Sequence, residues 1–252
     1  MTEYIMLNKN YIKPGYLNKT LLLVLFSVLL AGCETLIQEE VPAESVPKSG
    51  HLSPLPELPV KNSEHFKLSD DLSEIRVLVF RGGPLAKFGH NHVMLAHDIQ
   101  GDIYLANDYH KSAFALSFPL VAIEVDPEKA RTEEGEEFAT RPSREAIVGT
   151  RSNMLGNDFL EADKYPDIMI HSISLSGTDN NALATFQITL HGVTREMTST
   201  IHIKHEGEQL KASGSINLKI SDFNVKPFSV LGGGLQVQDE IKIKFQLTGI
   251  HT

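Results

Sequence analysis

The chain has 252 residues, 32 of them Asp or Glu against 23 Lys or Arg, a formal net charge of −9 and one cysteine. An acidic chain with no basic stripe is excluded as a nucleic-acid binder, because phosphate contacts depend on clustered Lys and Arg. One cysteine excludes an intramolecular disulfide, so the fold must rest on apolar burial, for which about 180 residues suffice.

The N-terminus is read first. Lys9, Lys13 and Lys19 precede a greasy run over residues 21–30, followed by Ala31-Gly32-Cys33. Charged n-region, short apolar h-region and small-residue cleavage site are the parts of a secretory signal. The run is about half of the ~20 residues that a spanning helix needs. Leu30-Ala31-Gly32-Cys33 resembles the bacterial lipobox, in which the cysteine is acylated and becomes the first residue of the mature chain. Residues 1–32 are therefore expected to be a lipoprotein signal peptide, with Met1 or Met6 as the start. Cys33 is the expected lipid-modified residue and the acyl anchor its membrane attachment. Removal of residues 1–32 leaves 31 acidic and 20 basic residues, a net charge of −11. Such a chain gains nothing electrostatically from anionic lipid, so acyl chains at ~0.8 kcal/mol per buried methylene must hold it.

Residues 33–70 read as a tether. Five of the twelve prolines (Pro42, Pro47, Pro54, Pro56 and Pro59) fall here among Glu and Ser, a composition that does not repay its ordering entropy. Its reach as a stiff coil is on the order of 35 Å.

From residue 71 to 252 period-two alternation takes over. Phe114, Leu116, Phe118 and Leu120 share one strand face. So do Ala182, Ala184, Phe186, Ile188 and Leu190, then Leu210, Ala212, Ile216, Leu218 and Ile220, then Ile241, Ile243, Phe245 and Leu247. Weaker strands fit residues 74–80, 92–96, 99–106, 168–175 and 194–205. Eight or nine strands with one apolar face and short turns predict an all-β, antiparallel barrel of about eight strands, closure removing the exposed edges. One helical insertion interrupts it, over residues 126–166. Residues 128–137 are expected to be charged loop, with Glu133, Glu134, Glu136 and Glu137 solvated; they lack the spaced pattern of a calcium loop. Ser143 is the expected cap of a helix whose apolar side carries Ile147, Val148, Met154, Leu155, Phe159 and Leu160, covering one end of the barrel.

His90 and His92 are the sharpest chemical feature. Side chains at i and i+2 of an extended strand share a face, so both imidazoles can reach one cation at about 2.0–2.1 Å. His97, His171, His191 or Asp98 would have to complete such a site. Haem ligation by an axial histidine is a second alternative, and the plain alternative is two histidines satisfying backbone groups, with no cofactor. Gly232-Gly233-Gly234 lacks the Lys-Ser/Thr of a phosphate loop and reads as a hairpin. No Gly-x-Ser-x-Gly elbow announces a nucleophile, so the chain is not expected to be an enzyme.

Four stretches in order resemble the YceI-like proteins, secreted or lipid-anchored bacterial domains. Within residues 154–168, Leu160-Glu161-Ala162-Asp163-Lys164-Tyr165-Pro166 is similar to their helix-to-strand "D-x-x-K-Y-P" passage. Ala184-Thr185-Phe186-Gln187-Ile188-Thr189-Leu190-His191-Gly192-Val193-Thr194-Arg195 is similar to their "G-x-L-T-I-x-G-V-T-K" hairpin. Leu218-Lys219-Ile220-Ser221-Asp222-Phe223 resembles "I-x-R-S-D-F", and Gln238-Asp239-Glu240-Ile241-Lys242-Ile243 the closing "V-G-D-E-V-x-I" strand. The chain departs from the family at Lys87-Phe88-Gly89-His90-Asn91-His92, where "K-H-x-G-F" is usual, and at Asn224, where glycine is usual. The resemblance implies a lipocalin-like barrel that binds a polyisoprenoid or other long-chain lipid without catalysis. Phe114, Leu116, Phe118, Phe186, Ile188, Ile216 and Leu218 would be the ligand-binding lining, or else would fill the interior as packed core. A metal- or haem-binding role for His90 and His92, and an assembly role toward envelope proteins or a second copy of the chain, are the alternatives. Glu34 in place of aspartate after Cys33 resembles lipoproteins sorted to the outer membrane, facing the periplasm.

Overall fold

A computed structural model describes residues 52–55, 58, 62–179 and 181–252. Residues 1–32, Cys33, Glu34 and most of the tether lie outside the described residues. Among those described, no helix is long and apolar enough to cross a membrane.

Eight antiparallel strands run up and down in chain order, and the last pairs with the first. β1 comprises Glu64–Leu68 and Glu74–Val79, β2 His92–Leu95 and Gln100–Leu105, and β3 Ala113–Pro119 and Glu124–Val125. β4 is Asp167–Thr178, β5 Asn181–Leu190, β6 Val193–Glu206, β7 Gln209–Lys219 and β8 Glu240–His251. β8 lies along β7 from Lys219↔Glu240 to Gln209↔Ile250. On its other side β8 pairs with both halves of β1, through Phe66↔His251 and Phe245↔Ile75. Closure pairs the strands on both sides along the barrel, save at Glu124–Val125, which pairs with β2 alone.

The tether was expected to run to residue 70, but Glu64–Leu68 belongs to the barrel and bonds to β2 and β8. Its alternation is short, yet Phe66 is fully buried, and burial of one large ring decides the element where the local pattern does not. β1 and β2 break side by side. The break in β1 is a single 3-10 turn, Asp70–Leu72, and the Asp70 carboxylate accepts the Ile99 N–H (2.8 Å) just beyond the left-handed Asp98 in β2. Paired interruptions of this kind bend strands around a barrel.

Alternation survives folding. In β5 Ala182, Ala184, Phe186, Ile188 and Leu190 are buried, and none of the intervening residues is. His191 and Gly192 join β5 to β6 with φ of 52° and 70°, the pair of positive angles that a two-residue hairpin of this twist requires. Added as a Cβ, the missing side chain of Gly192 would stand 2.5 Å from the Tyr165 ring. Tyr165 also packs edge-on against His191 at 4.6 Å. Two of the four motif stretches thus form one joint, and the other two form a second. Asp239 accepts from the Ser221 N–H (2.9 Å) and hydroxyl (2.7 Å). Asn224 has φ 60° and ψ 22°, a left-handed conformation that asparagine tolerates where the family's usual glycine is absent.

All long connections leave one end of the barrel. The insertion there contains α1 (Glu128–Glu133) and α2 (Arg144–Leu155). Ser143 caps α2 as expected, its hydroxyl accepting from the Ala146 N–H at 3.3 Å. Val148, expected on the apolar side, is 53% exposed, whereas Met154 and Leu160 are buried.

The charged stretch before α2 is a helix and a 3-10 turn instead of the expected loop. Glu136 and Glu137 are exposed as expected, but Glu133 and Glu134 are not simply solvated, because the outer face of the barrel supplies their partners. Arg76 bonds Glu133 (2.8 Å), Glu134 (3.0 Å) and Glu74 (2.7 Å), and Lys244 on β8 also reaches Glu134 (2.7 Å). Beneath these pairs a small second core of Leu78, Val93, Ala130 and Phe138 seals α1 to the barrel wall.

Candidate functional site

The barrel interior is hollow. Inward-facing Val77, Phe114, Ile168, Ile170, Ile243 and Phe245 pack on the core yet are only partly buried, because part of each side chain borders a void. That void is a cavity of about 270 Å³, against the ~10–15 Å³ that one water molecule needs. All seven side chains singled out as lining (Phe114, Leu116, Phe118, Phe186, Ile188, Ile216 and Leu218) border it. Alternation on each strand places them there, since one face of every strand must point inward.

Further lining comes from the connections between strands, including the helix expected to cover one end. Met154 of α2, with Phe159 and Leu160 beyond it, covers the insertion end of the cavity, and Phe228 and Val237 border it from the long β7–β8 connection. Polar lining is sparse: His92, Tyr104, Ser112, Thr150 and Asn153. A space of this composition can hold a hydrocarbon chain and offers few groups to anchor a polar molecule.

His92 links the cavity to a buried polar network. His90 lies two residues before the strand proper, and its ring stands 4.5 Å from that of His92, at 61°. None of His97, His171, His191 and Asp98 supplies the third donor; Asp126, at the end of β3, does. One donor atom each of His90, His92 and Asp126 lie within 4.8 Å of one another, the one such group among the described residues. His97 is instead bonded to Glu124 (3.0 Å) and His191 to Glu161 (2.6 Å). Rings 4.5 Å apart stand too close to take the two opposite axial positions of a haem iron.

Asp126 is clamped from three sides. Its side chain is fully buried, and its backbone is left-handed at φ 56°. Oδ2 meets His92 Nδ1 at 2.7 Å, while Oδ1 accepts the Val93 N–H at 2.9 Å and an Arg131 N–H. Burial alone would raise its carboxyl, but His92, the Val93 N–H and Arg131 outweigh burial and hold it below the ordinary value. Arg131 is itself buried in α1 and donates to the carbonyls of Asn91 (2.7 Å) and Thr140 (2.9 Å). Asn91 in turn accepts the Arg81 N–H (3.0 Å) and donates to the Glu137 carbonyl (3.1 Å). Asn91 and His92 are therefore both tied to the insertion. Burial foremost, then the neighbouring His92, pushes the His90 imidazole below its ordinary value.

Asp126, Arg131 and Asn91 were not anticipated. One signal was present: Asp126-Pro127 followed by Glu128 marks a strand end turning into a helix, but nothing local shows which strand the aspartate faces.

Residues 71–249 match the YceI-like domain. Two UPF0312 proteins from strains of Pseudomonas putida are 34% identical over 76 residues, 27% of this chain and 40% of theirs. The match thus spans about two fifths of the length of those relatives. The crystal structure of Burkholderia cenocepacia BcnA is similar with a TM-score of 0.54 at 14% identity, covering 72% of this chain and 98% of that one. A Campylobacter jejuni YCEI protein gives a TM-score of 0.46 at 14% identity over 63% of this chain and 84% of its own. The likeness to BcnA is one of fold.

Proposed function

The chain belongs to the YceI-like domain family, and on that premise we propose that it is a lipid-anchored envelope protein whose barrel shelters a long-chain, polyisoprenoid-like lipid without catalysing its conversion. The observation that carries this reading is the cavity of about 270 Å³ with an almost wholly aliphatic and aromatic lining. A hydrocarbon chain entering it leaves water at a gain of ~0.8 kcal/mol per methylene, so a dozen carbons supply on the order of 10 kcal/mol before immobilisation is charged against them. Phe114, Phe118 and Phe186, joined by Leu116, Ile188, Ile216 and Leu218, are the contact residues in this reading. Attachment through an acylated Cys33 keeps the barrel beside the membrane that holds such lipids, and Glu34 favours the outer membrane, on its periplasmic side.

The test is extraction of the full-length protein, purified in mild detergent from its native envelope, followed by mass spectrometry of the organic phase. One long-chain lipid in near-stoichiometric amount is expected. Absence of any such lipid, together with no uptake of fluorescent long-chain probes by the stripped protein, overturns the proposal. Cys33→Ser should move the protein from the membrane to the soluble periplasmic fraction; unchanged membrane attachment removes the anchor from the reading.

A further inference from the structure

We propose that His90, His92 and Asp126 form a binding site for a first-row transition-metal ion at the insertion end of the barrel. The inference is independent of what occupies the cavity.

Three observations converge on it. The donor atoms come from two strands and lie within 4.8 Å of one another. About an ångström of side-chain closure brings such a set within reach of one ion at ~2.0–2.1 Å. Second, His90 Nε2 is buried with no hydrogen-bond partner among the described residues. A buried ring nitrogen without a partner costs about 1–3 kcal/mol, and the loss is recovered when a cation takes the nitrogen lone pair. Third, the surroundings orient the carboxylate toward the histidines. Arg131 and the Val93 N–H both engage Oδ1 of Asp126, which leaves Oδ2 on the side of the histidines.

The donor set also selects the ion. Two imidazoles and one carboxylate suit zinc, copper or nickel, whereas calcium and magnesium need several oxygens. Arg131 cancels the single carboxylate charge, so the attraction must come from nitrogen coordination and not from accumulated negative charge. Three protein ligands leave coordination open, as in zinc sites that hold an exchangeable molecule.

The experiment uses the full chain in detergent, stripped with chelator and titrated with Zn²⁺ by calorimetry. One equivalent should bind, and His90→Ala or His92→Ala should each weaken it at least 100-fold, with His97→Ala unchanged. Histidine-ring NMR of the unsubstituted protein provides the check that does not depend on a variant's folding. Zn²⁺ should shift the ring signals of His90 and His92 at one equivalent and leave those of His97 and His191 in place. Binding that survives both alanine variants, or ring shifts spread over the surface histidines, overturns the proposal.

Discussion

Ala212→Phe separates a hollow barrel from a packed one. Ala212 sits on β7 opposite Ile203 of β6 and Leu247 of β8, borders the cavity and is only partly buried. Phenylalanine places six additional ring carbons into the void. If that void is real, the ring leaves water without displacing protein atoms, and the lipid-free protein gains about 1–2 kcal/mol of the ~1.5–3 kcal/mol available for a buried phenyl. For a domain of this size that raises the melting temperature by roughly 2–8 °C. The same ring takes the place of about six ligand carbons. At ~0.8 kcal/mol each, near 5 kcal/mol of binding is lost, between three and four orders of magnitude in affinity. Differential scanning calorimetry of stripped protein and titration with a fluorescent long-chain probe read the two effects. A packed interior gives the opposite sign, since an overpacked core loses about 1–3 kcal/mol. A fall in melting temperature with unchanged probe affinity therefore refutes the cavity argument.

Glu134→Gln should flatten the acid limb of the stability curve. Burial raises this carboxyl, but Lys244 and Arg76 outweigh it and hold it below its ordinary value. The ion pairs thus stabilise the fold above the unfolded value of about 4.3, and that contribution disappears as pH falls through the lower folded value. Urea unfolding at pH 7 should show the variant about 1–3 kcal/mol weaker, with the gap closing in acid; a gap that persists below pH 3 contradicts the assignment. Arg131→Met strands the fully buried Asp126 carboxylate and should cost about 3–5 kcal/mol by chemical denaturation; a loss under 1 kcal/mol would show that the network does not hold the insertion. Gly192→Ala adds a methyl group 2.5 Å from the Tyr165 ring at φ 70°, whereas Gly207→Ala, at φ 61°, meets open space. Backbone strain of ~1–2 kcal/mol is common to both, so melting should show Gly192→Ala as clearly the more damaging; equal losses would remove the Tyr165 contact from the account.

Strand faces were legible wherever one side of the sheet is wet and the other dry. Phe186, Ile188, Leu190, Ile216 and Leu218 declare their direction by alternation alone, because a one-residue slip would turn each to solvent. Glu64–Leu68 was not legible. Its five residues follow a proline-rich stretch, and what makes them a strand is pairing with β2 and β8 from distant parts of the chain. The helix at Glu128–Glu133 was hidden for a related reason. Glu133 and the adjoining Glu134 look solvated until Arg76 and Lys244 are brought opposite them.

His90 and His92 announced themselves by spacing, while their third partner lies 34 residues beyond His92 and is delivered by the β2–β3 pairing. Local chemistry, period-two alternation and turn residues determined from the chain alone that this is a closed antiparallel barrel with a greasy inner face. Tertiary structure alone decided that the inner face encloses a void instead of filling it, and that Asp126 meets two histidines. Cavity volume and convergence of donors are properties of how eight strands curve around one axis, and no window of sequence contains that curvature.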